Sequence, residues 1–215
     1  MKPRLCRRCG MPPDAAIHAG NHPERCHPFE ARPREWPILF RARLVRANRE
    51  GRKNQTRRIS PRWLAAKPGD VIVVRESWRA DVAWDLRKPS DIGSGAAIWY
   101  EADGDGSKRP RAGKLRPSIY LPRWACRDVY PIVADVRPEL LQDISEEDAI
   151  AEGLTAWKRD DGKIFYGGEL PDVWETDPRR AYRRLWDSIN ARTASWESNP
   201  TVYVVTYQTR PAVTP

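Results

Sequence analysis

Residues 51–58 concentrate reactive side chains in eight consecutive positions of the chain. Lys53 supplies a primary amine, Thr56 supplies a hydroxyl three residues later, and Arg57 and Arg58 supply two guanidinium groups. Such a group can bind an anion, or it can make the hydroxyl nucleophilic if the amine accepts its proton. Charge runs are also common on solvated surfaces, so the segment by itself is equally typical of an exposed basic turn.

The neighbouring sequence predicts the elements that hold this segment. Residues 37–40 predict a strand and residues 41–50 a short helix, after which Gly51 stands where a C-terminal glycine cap belongs. Residues 54–59 predict a second strand, and residues 71–76 predict a third that is apolar enough to be buried on both faces.

The rest of the body predicts short strands and two further helices. Strands are expected at residues 118–121, 128–136 and 201–207, and helices at residues 143–153, with Ser145 as N-cap, and 179–190. Polar insertions are expected near residues 79–115, with a hairpin around residues 98–100, and near residues 155–178. Short strands without regular βαβ alternation predict an α+β fold, a small mixed β-barrel flanked by helices.

A cysteine-rich head precedes this body. Residues 1–35 carry the spacing of a four-ligand zinc module, with these candidate ligands: Cys6, Cys9, His22 and Cys26. His18 or His27 can replace His22 at this spacing. We expect a structural zinc ion, because four protein ligands leave no open position for a substrate. The domains predicted are therefore the head, 1–35, and the body, 36–210.

The charge of the chain is uneven along its length. The formal net charge is +9, and residues 1–62 hold 16 lysines and arginines against 5 acidic residues. A basic first third is typical of a surface that faces a polyanion such as RNA or DNA. No stretch approaches the ~20 apolar residues that span a bilayer, and no signal-peptide core follows Met1, so we expect no membrane contact and a cytoplasmic location.

The segment at residues 51–58 also resembles the signature of the ASCH domain family, a Gly-x-Lys followed by Arg between a helix and a strand. Gly51, Lys53 and either Arg57 or Arg58 match it. Longer stretches are similar to ASCH proteins of phages and prophages, and these include Pro68-Gly69-Asp70, Arg75-Glu76-Ser77-Trp78, Pro122-Arg123-Trp124 and Trp186-Asp187-Ser188-Ile189-Asn190. The resemblance covers residues 36–207 and implies a PUA-like barrel.

The resemblance further implies a hydrolase. Small bacterial members of the wider family are amidohydrolases that remove acyl groups from N(4)-acetylcytidine through a lysine, a threonine and a later glutamate. Lys53, Thr56 and Glu152 match these positions. Either Thr56 is the nucleophile and Lys53 its base, or Lys53 or Glu152 activates water while Thr56 binds the oxyanion. This chain departs from those enzymes in its greater length, its cysteine-rich head and its two insertions.

A modified cytosine nucleoside as substrate requires a flat apolar surface and a few polar contacts. Trp78 and Trp124 are the candidate stacking platforms, although each is equally typical of a core residue. Arg58 and Glu76 are candidates for ring or ribose contacts, and Arg57 for substrate binding. An ion pair of Glu76 with Arg57 or Arg58 is the alternative for that glutamate.

Two other functions fit the sequence. A non-catalytic nucleic-acid-binding module would grip phosphates with its basic first third and hold a flipped or modified base in the barrel cleft. A ribonuclease is the less favoured reading, because the sequence lacks an evident cluster of carboxylates for a metal-dependent mechanism.

Overall fold

A computed structural model describes residues 33–104, 106–167 and 173–209, and the statements below concern those residues. The predicted α+β class is confirmed. The helices are α1 Ala42–Arg49, α2 Glu146–Ala151 and α3 Pro178–Asn190. The strands are β1 Glu35–Leu39, β2 Gln55–Arg58, β3 Val71–Arg75, β4 Trp78–Ala80, β5 Ile98–Tyr100, β6 Val129–Pro131, β7 Arg137–Leu140, β8 Thr155–Lys158, β9 Ile164–Gly167, β10 Trp174–Glu175 and β11 Thr201–Thr206.

Two three-stranded sheets position the reactive segment. In the first, β3 pairs in parallel with β1 and antiparallel with β6. In the second, β11 pairs antiparallel with both β2 and β7. A single bridge between Ile132 and Tyr207 links the two sheets. The described strands form no closed barrel, because β1 is an edge of the first sheet and β2 and β7 are the two edges of the second.

The insertions predicted near residues 79–115 and 155–178 carry ordered structure of their own. Residues 98–100 of the first insertion form β5, which pairs antiparallel with the preceding strand β4, and residues 101–103 and 106–108 form 3₁₀ turns. The second insertion contains the antiparallel sheet β8, β9 and β10. Aromatic contacts hold it together, and Trp157 lies 5.8 Å from Phe165 and 6.2 Å from Trp174 between ring centroids.

Two strand predictions need correction. Residues 118–121 form a 3₁₀ turn at Ser118–Tyr120 because the flanking Pro117 and Pro122 remove backbone donors that a ladder needs. The strand expected at 128–136 is confined to β6, and the chain then bends into β7. Strand β7 has no alternating apolar pattern, and its Pro138 is tolerated because β7 lies at a sheet edge.

The main core fills the space between the helices and the two central sheets. Helix α1 buries Leu44 and Val45, and helix α3 buries Tyr182, Leu185 and Trp186. These side chains pack in one cluster with strand residues that include Ile38, Ile72, Val74, Val202 and Val205. The core therefore fixes α1 and α3 beside β2, which carries the reactive segment.

No helix in the described ranges is long and apolar enough to span a bilayer. The predicted head, with Cys6, Cys9, His22 and Cys26, lies outside the described residues.

Candidate functional site

The chain reverses direction after α1 and places Lys53 beside the C-terminal end of α2. Gly51 adopts φ +73°, a left-handed conformation that glycine accepts without strain and that ends the helix as predicted. The backbone N–H groups of Arg52 and Lys53 both donate to the Ala47 carbonyl, at 2.9 and 3.1 Å. Lys53 then forms a backbone bridge with Glu152, ninety-nine residues further along the chain.

Helix α2 sets the position of Glu152. Ser145 caps its first turn as predicted, because the Ser145 hydroxyl accepts a hydrogen bond from the Asp148 N–H at 3.1 Å. Glu152 is the C-cap, and Gly153 follows at φ +99°. A Cβ at Gly153 would lie only 3.0 Å from the Lys53 Cβ, so both the backbone conformation and the close approach require glycine there.

The Lys53 amine is buried and fully hydrogen-bonded. Its Nζ donates to the Glu152 carboxylate Oε2 at 2.7 Å, to the Glu152 carbonyl at 2.9 Å and to the Gln55 carbonyl at 2.7 Å. Only 1% of Lys53 is exposed. Three acceptors match the three donors of an ammonium group, so the resting pair is an ammonium and a carboxylate.

Burial nevertheless favours the neutral form of the Lys53 amine. Removal from water lowers the pKa of Lys53 below its ordinary value, with minor contributions from the nearby guanidinium groups of Arg58 and Arg57. The negative charge of Glu152 and its hydrogen bond act in the opposite direction. The lowered pKa is the property that a lysine needs to serve as a base near neutral pH.

Arg57 ties the same glutamate to two further carboxylates. Its guanidinium donates to Glu152 Oε1 at 3.2 Å, to Glu139 at 2.6 Å and to Asp148 at 2.7 Å. Burial lowers the pKa of Arg57, but Glu152, Tyr182 and Glu139 together raise it above its ordinary value. Arg57 is therefore a permanent cation that orients Glu152, and each of its three nitrogens donates within the protein.

A cleft of about 270 Å³ opens beside this network. Lys53, Thr56 and Glu152 all line it, so the structure brings the three proposed catalytic residues to one cavity. Thr56 is 3% exposed, and its hydroxyl donates and accepts no hydrogen bond among the described residues. The aromatic walls come from residues that the sequence did not single out: Phe40, Trp63, Tyr182 and Trp186.

Arg58 lines the cleft with weaker contacts than Arg57. Its Nη2 donates to the Leu39 carbonyl at 3.4 Å, and its guanidinium carbon lies 5.3 Å from the centre of the Phe40 ring. The Lys53 amine lies 5.2 Å from the centre of the same ring, so both cations lie against Phe40.

Three residues predicted to contact substrate are not among those that line this cleft. Trp78 is fully buried in a second apolar cluster with Val73 and Leu121, where no ligand can stack on it. Trp124 is 41% exposed on a 3₁₀ turn outside the cleft. Glu76 is buried among cations, so its ion-pair alternative holds, but with partners other than those expected.

The partners of Glu76 are Arg127 and Arg49. Arg127 donates to both Glu76 carboxylate oxygens, at 2.9 and 3.2 Å, and Arg49 lies 3.5 Å from one of them. Both arginines also pair with Asp103, and Arg49 pairs with Asp128. Burial raises the pKa of Glu76, although the two arginines oppose this.

Glu139 and Asp148 are the site residues that sequence reasoning missed. Glu139 lies on the unpredicted edge strand β7. Asp148 lies in the predicted acidic first turn of α2, and only the approach of β2 to α2 shows that it binds Arg57.

Within the described ranges, no group of three or more histidine, cysteine, aspartate or glutamate side chains is arranged to hold a metal ion. Cys126 is a buried free thiol, and burial raises its pKa.

Comparisons with protein-family models, with curated proteins and with solved structures find no significant match to this chain.

Proposed function

We propose that the chain is an amidohydrolase that removes acyl groups from N(4)-acylated cytosine nucleosides of the N(4)-acetylcytidine type. The products are cytidine and a carboxylic acid. The resemblance to ASCH proteins suggests the substrate, and the geometry of the cleft suggests how the reaction would proceed. The PUA-like assignment of the fold is part of the same proposal.

One observation carries the proposal. Lys53 Nζ lies 2.7 Å from Glu152 Oε2 in a nearly water-free environment, and both residues share a cleft with Thr56. A buried lysine with a lowered pKa that shares a cleft with a threonine hydroxyl supplies the base and nucleophile for acyl transfer.

The reaction requires Lys53 in its neutral form. Burial favours this form because it lowers the pKa of the amine. The neutral Lys53 amine accepts the Thr56 hydroxyl proton as Thr56 Oγ1 attacks the acyl carbonyl. The tetrahedral intermediate then collapses, and Lys53 or Glu152 returns a proton to the departing cytosine amine. Water subsequently releases the carboxylic acid from Thr56.

A second version of the mechanism uses the same residues. Lys53 or Glu152 deprotonates water, which attacks the acyl carbonyl directly, and the Thr56 hydroxyl donates to the oxyanion. The first version forms a covalent acyl-Thr56 intermediate, and the second version does not. Mass spectrometry of a rapidly quenched reaction detects an acyl group on Thr56 in the first version and unmodified protein in the second.

The primary test is a timed incubation with N(4)-acetylcytidine and with its deoxy and bulkier acyl analogues, following cytidine release by chromatography. We expect release by the wild type and a loss of at least about 100-fold in Lys53→Ala and Thr56→Ala. Arg127→Lys, in the Glu76 cluster, is the matched control and should retain the wild-type rate. Lack of release from any analogue by folded protein would refute the proposal.

A second candidate is a binding module for RNA, DNA or a modified base. The full occupancy of the Lys53 donors favours it, because a saturated ammonium also suits a purely structural role. This candidate predicts binding that weakens steeply with salt. A nucleoside hydrolase predicts turnover that is almost independent of salt. Titration from about 50 to 200 mM salt separates the two.

We also propose that Cys6, Cys9, His22 and Cys26 hold a structural zinc ion. Metal analysis of the purified protein should give one zinc per chain, and Cys9→Ser should lose it. Zinc retained by Cys9→Ser would contradict this ligand set.

A further inference from the structure

Positive charge dominates the cleft. The described residues that line it include five cationic side chains: Arg41, Lys53, Arg57, Arg58 and Arg62. Glu152 is the carboxylate among these lining residues, and both of its oxygens are engaged, one by Lys53 and the other by Arg57. Glu139 and Asp148 also offset Arg57. The nucleoside reaction proposed above uses no ligand with a negative charge, so it leaves the charges of Arg58 and Arg62 unexplained.

Arg58 is a part-buried cation whose donors are poorly satisfied. Its Nε is buried and has no hydrogen-bond partner among the described residues, and its hydrogen bond to the Leu39 carbonyl is 3.4 Å long. Four other arginines also have a buried Nε without a partner, but another nitrogen of each donates at 2.6 to 2.9 Å, and these are Arg43, Arg75, Arg79 and Arg116.

An unpaired guanidinium in such a place destabilises the protein unless an anion joins it. Burial lowers the pKa of Arg58, which reports the same electrostatic penalty. Arg62 is exposed beside the buried Trp63, with its guanidinium carbon 5.6 Å from that ring, and it can contribute a second cation at the rim. Planar guanidinium groups suit the oxygens of phosphate, which accept paired hydrogen bonds.

We propose that Arg58, assisted by Arg62, binds a phosphate group, and that the substrate of the cleft is therefore an acylated cytosine nucleotide rather than the bare nucleoside. The acyl part of this inference rests on the proposed function. The Lys53 amine and the Arg58 guanidinium both lie against the Phe40 ring, at 5.2 and 5.3 Å from its centre, so the phosphate would bind near the acyl-transfer residues.

The size of the cleft favours a mononucleotide. Its volume of about 270 Å³ is close to the lower limit of small-molecule sites, roughly 300 Å³. A single nucleotide can fill such a space, whereas a polymer would extend beyond it. The phosphate chemistry is common to both, and the experiment distinguishes them.

The first experiment measures binding without catalysis. Isothermal titration with cytidine, cytidine 5′-monophosphate and inorganic phosphate needs no acyl group, so it reports on the phosphate site alone. We expect the monophosphate to bind about 10- to 100-fold more tightly than cytidine. Arg58→Gln should weaken binding of the monophosphate more than binding of cytidine, so that the preference is lost. Arg111→Gln, which removes an arginine outside the cleft, is the matched control and should retain it.

Equal binding of cytidine and its monophosphate by the wild type would overturn the inference. A preference that survives in Arg58→Gln would also overturn it. A short oligocytidylate completes the series, and tighter binding of this probe would assign the phosphate to a polynucleotide, whereas weaker binding would assign it to the mononucleotide.

Turnover separates this inference from the proposed function. We compare acyl release from N(4)-acetylcytidine and from its 5′-monophosphate, and expect the larger kcat/KM for the nucleotide in wild type but not in Arg58→Gln. Equal values in the wild type would refute the phosphate site and leave the hydrolase intact. Absence of release, combined with preferential monophosphate binding, would refute the hydrolase and leave the phosphate site intact. Equal loss for both substrates in Arg58→Gln would place Arg58 at the reaction centre and overturn the inference.

Folding of the variants is checked by thermal unfolding. Because the part-buried Arg58 has a buried Nε without a partner among the described residues, Arg58→Gln should have a Tm equal to or above that of the wild type. Arg58→Lys keeps the positive charge and should retain part of the preference for the monophosphate. A large fall in Tm for Arg58→Gln would instead show a structural role and contradict the inference.

Discussion

Glu152 and Glu76 have similar ion-pair partners, but their surroundings differ. Glu152 joins Lys53 and Arg57, and Glu76 joins Arg127 and Arg49. Both glutamates are almost completely buried, with 4% and 1% exposure. Each bridges two cations and ties distant parts of the chain together.

The difference lies in the cations and in access to a cavity. The cations of the Glu76 cluster are two arginines, which do not lose a proton in proteins, and Glu76 does not line the cleft, so we assign this cluster a structural role. The Glu152 cluster contains a lysine whose pKa is lowered by burial, and it lines a cleft together with a hydroxyl group. Burial and ion pairing are therefore insufficient to identify a site; a titratable base that opens onto a cavity is also required.

Replacing that lysine tests the comparison most severely. Lys53→Arg keeps the positive charge beside Glu152 but removes the ability to give up a proton. We expect acyl release to fall by about 1000-fold, since general base catalysis is lost. Cytidine release assayed by chromatography checks this, with circular dichroism to show that the variant folds. Retention of more than a tenth of the wild-type rate would exclude Lys53 as the base.

A substitution of Glu76 should weaken the cluster to which we assign a structural role. Glu76→Gln removes a buried charge and leaves two arginines with fewer partners, so we expect a loss of about 3 kcal/mol in the free energy of unfolding. The rate per folded molecule should not change, because Glu76 is outside the cleft. Urea denaturation and the acyl-release assay measure the two quantities. Glu35→Gln, in the exposed pair with Arg123, is the control and should alter stability by at most about 1 kcal/mol.

The glycine that follows Glu152 tests how closely the site is packed. Gly153→Ala places a Cβ about 3.0 Å from the Lys53 Cβ at φ +99°, so we expect a destabilisation of about 2 kcal/mol together with reduced turnover. Gly162→Ala is the matched control, because its φ is +84° and nothing lies within 4 Å of the new Cβ. The control should lose about 1 kcal/mol and no activity. Equal effects of the two variants on turnover would refute the packing explanation.

The pH dependence of stability and of acyl release is the smallest difference that we expect between the two clusters. Because the pKa of Lys53 is lower in the folded protein, the unfolded chain binds more protons between that pKa and 10.5, and this contribution to stability rises with pH in that window. Acyl release should likewise increase with pH and reach its half-maximum below pH 10.5.

Glu152 raises the pKa of Lys53, so its removal should move that half-maximum further down. The residual rate of Glu152→Gln, measured from pH 6 to 10, about the range in which a lowered lysine titrates, checks this shift. Glu50→Gln, whose carboxylate pairs with Arg52, should leave the midpoint unchanged. A midpoint that moves upward in Glu152→Gln would contradict the assignment of the titration to Lys53.

Much of the local structure could be predicted because its causes are local. Gly51 ends α1, Ser145 caps α2, and the apolar run of β3 predicts a buried strand. The edge strand β7 could not be predicted, because its stability comes from pairing with β11 rather than from its own residues. The 3₁₀ turn at Ser118–Tyr120 was mistaken for a strand because apolar content outweighed its flanking prolines.

The candidate site divides in the same way. The sequence by itself determined the cluster of amine, hydroxyl and guanidinium groups at residues 51–58, because these lie side by side in the chain, and the α+β class. Only the tertiary structure decided that Lys53 pairs with Glu152 at a separation of ninety-nine residues, that aromatic rings other than Trp78 and Trp124 line the cleft, and that Glu76 belongs to another cluster. Burial and ion pairing depend on which elements pack together, and this packing is set by long-range contacts.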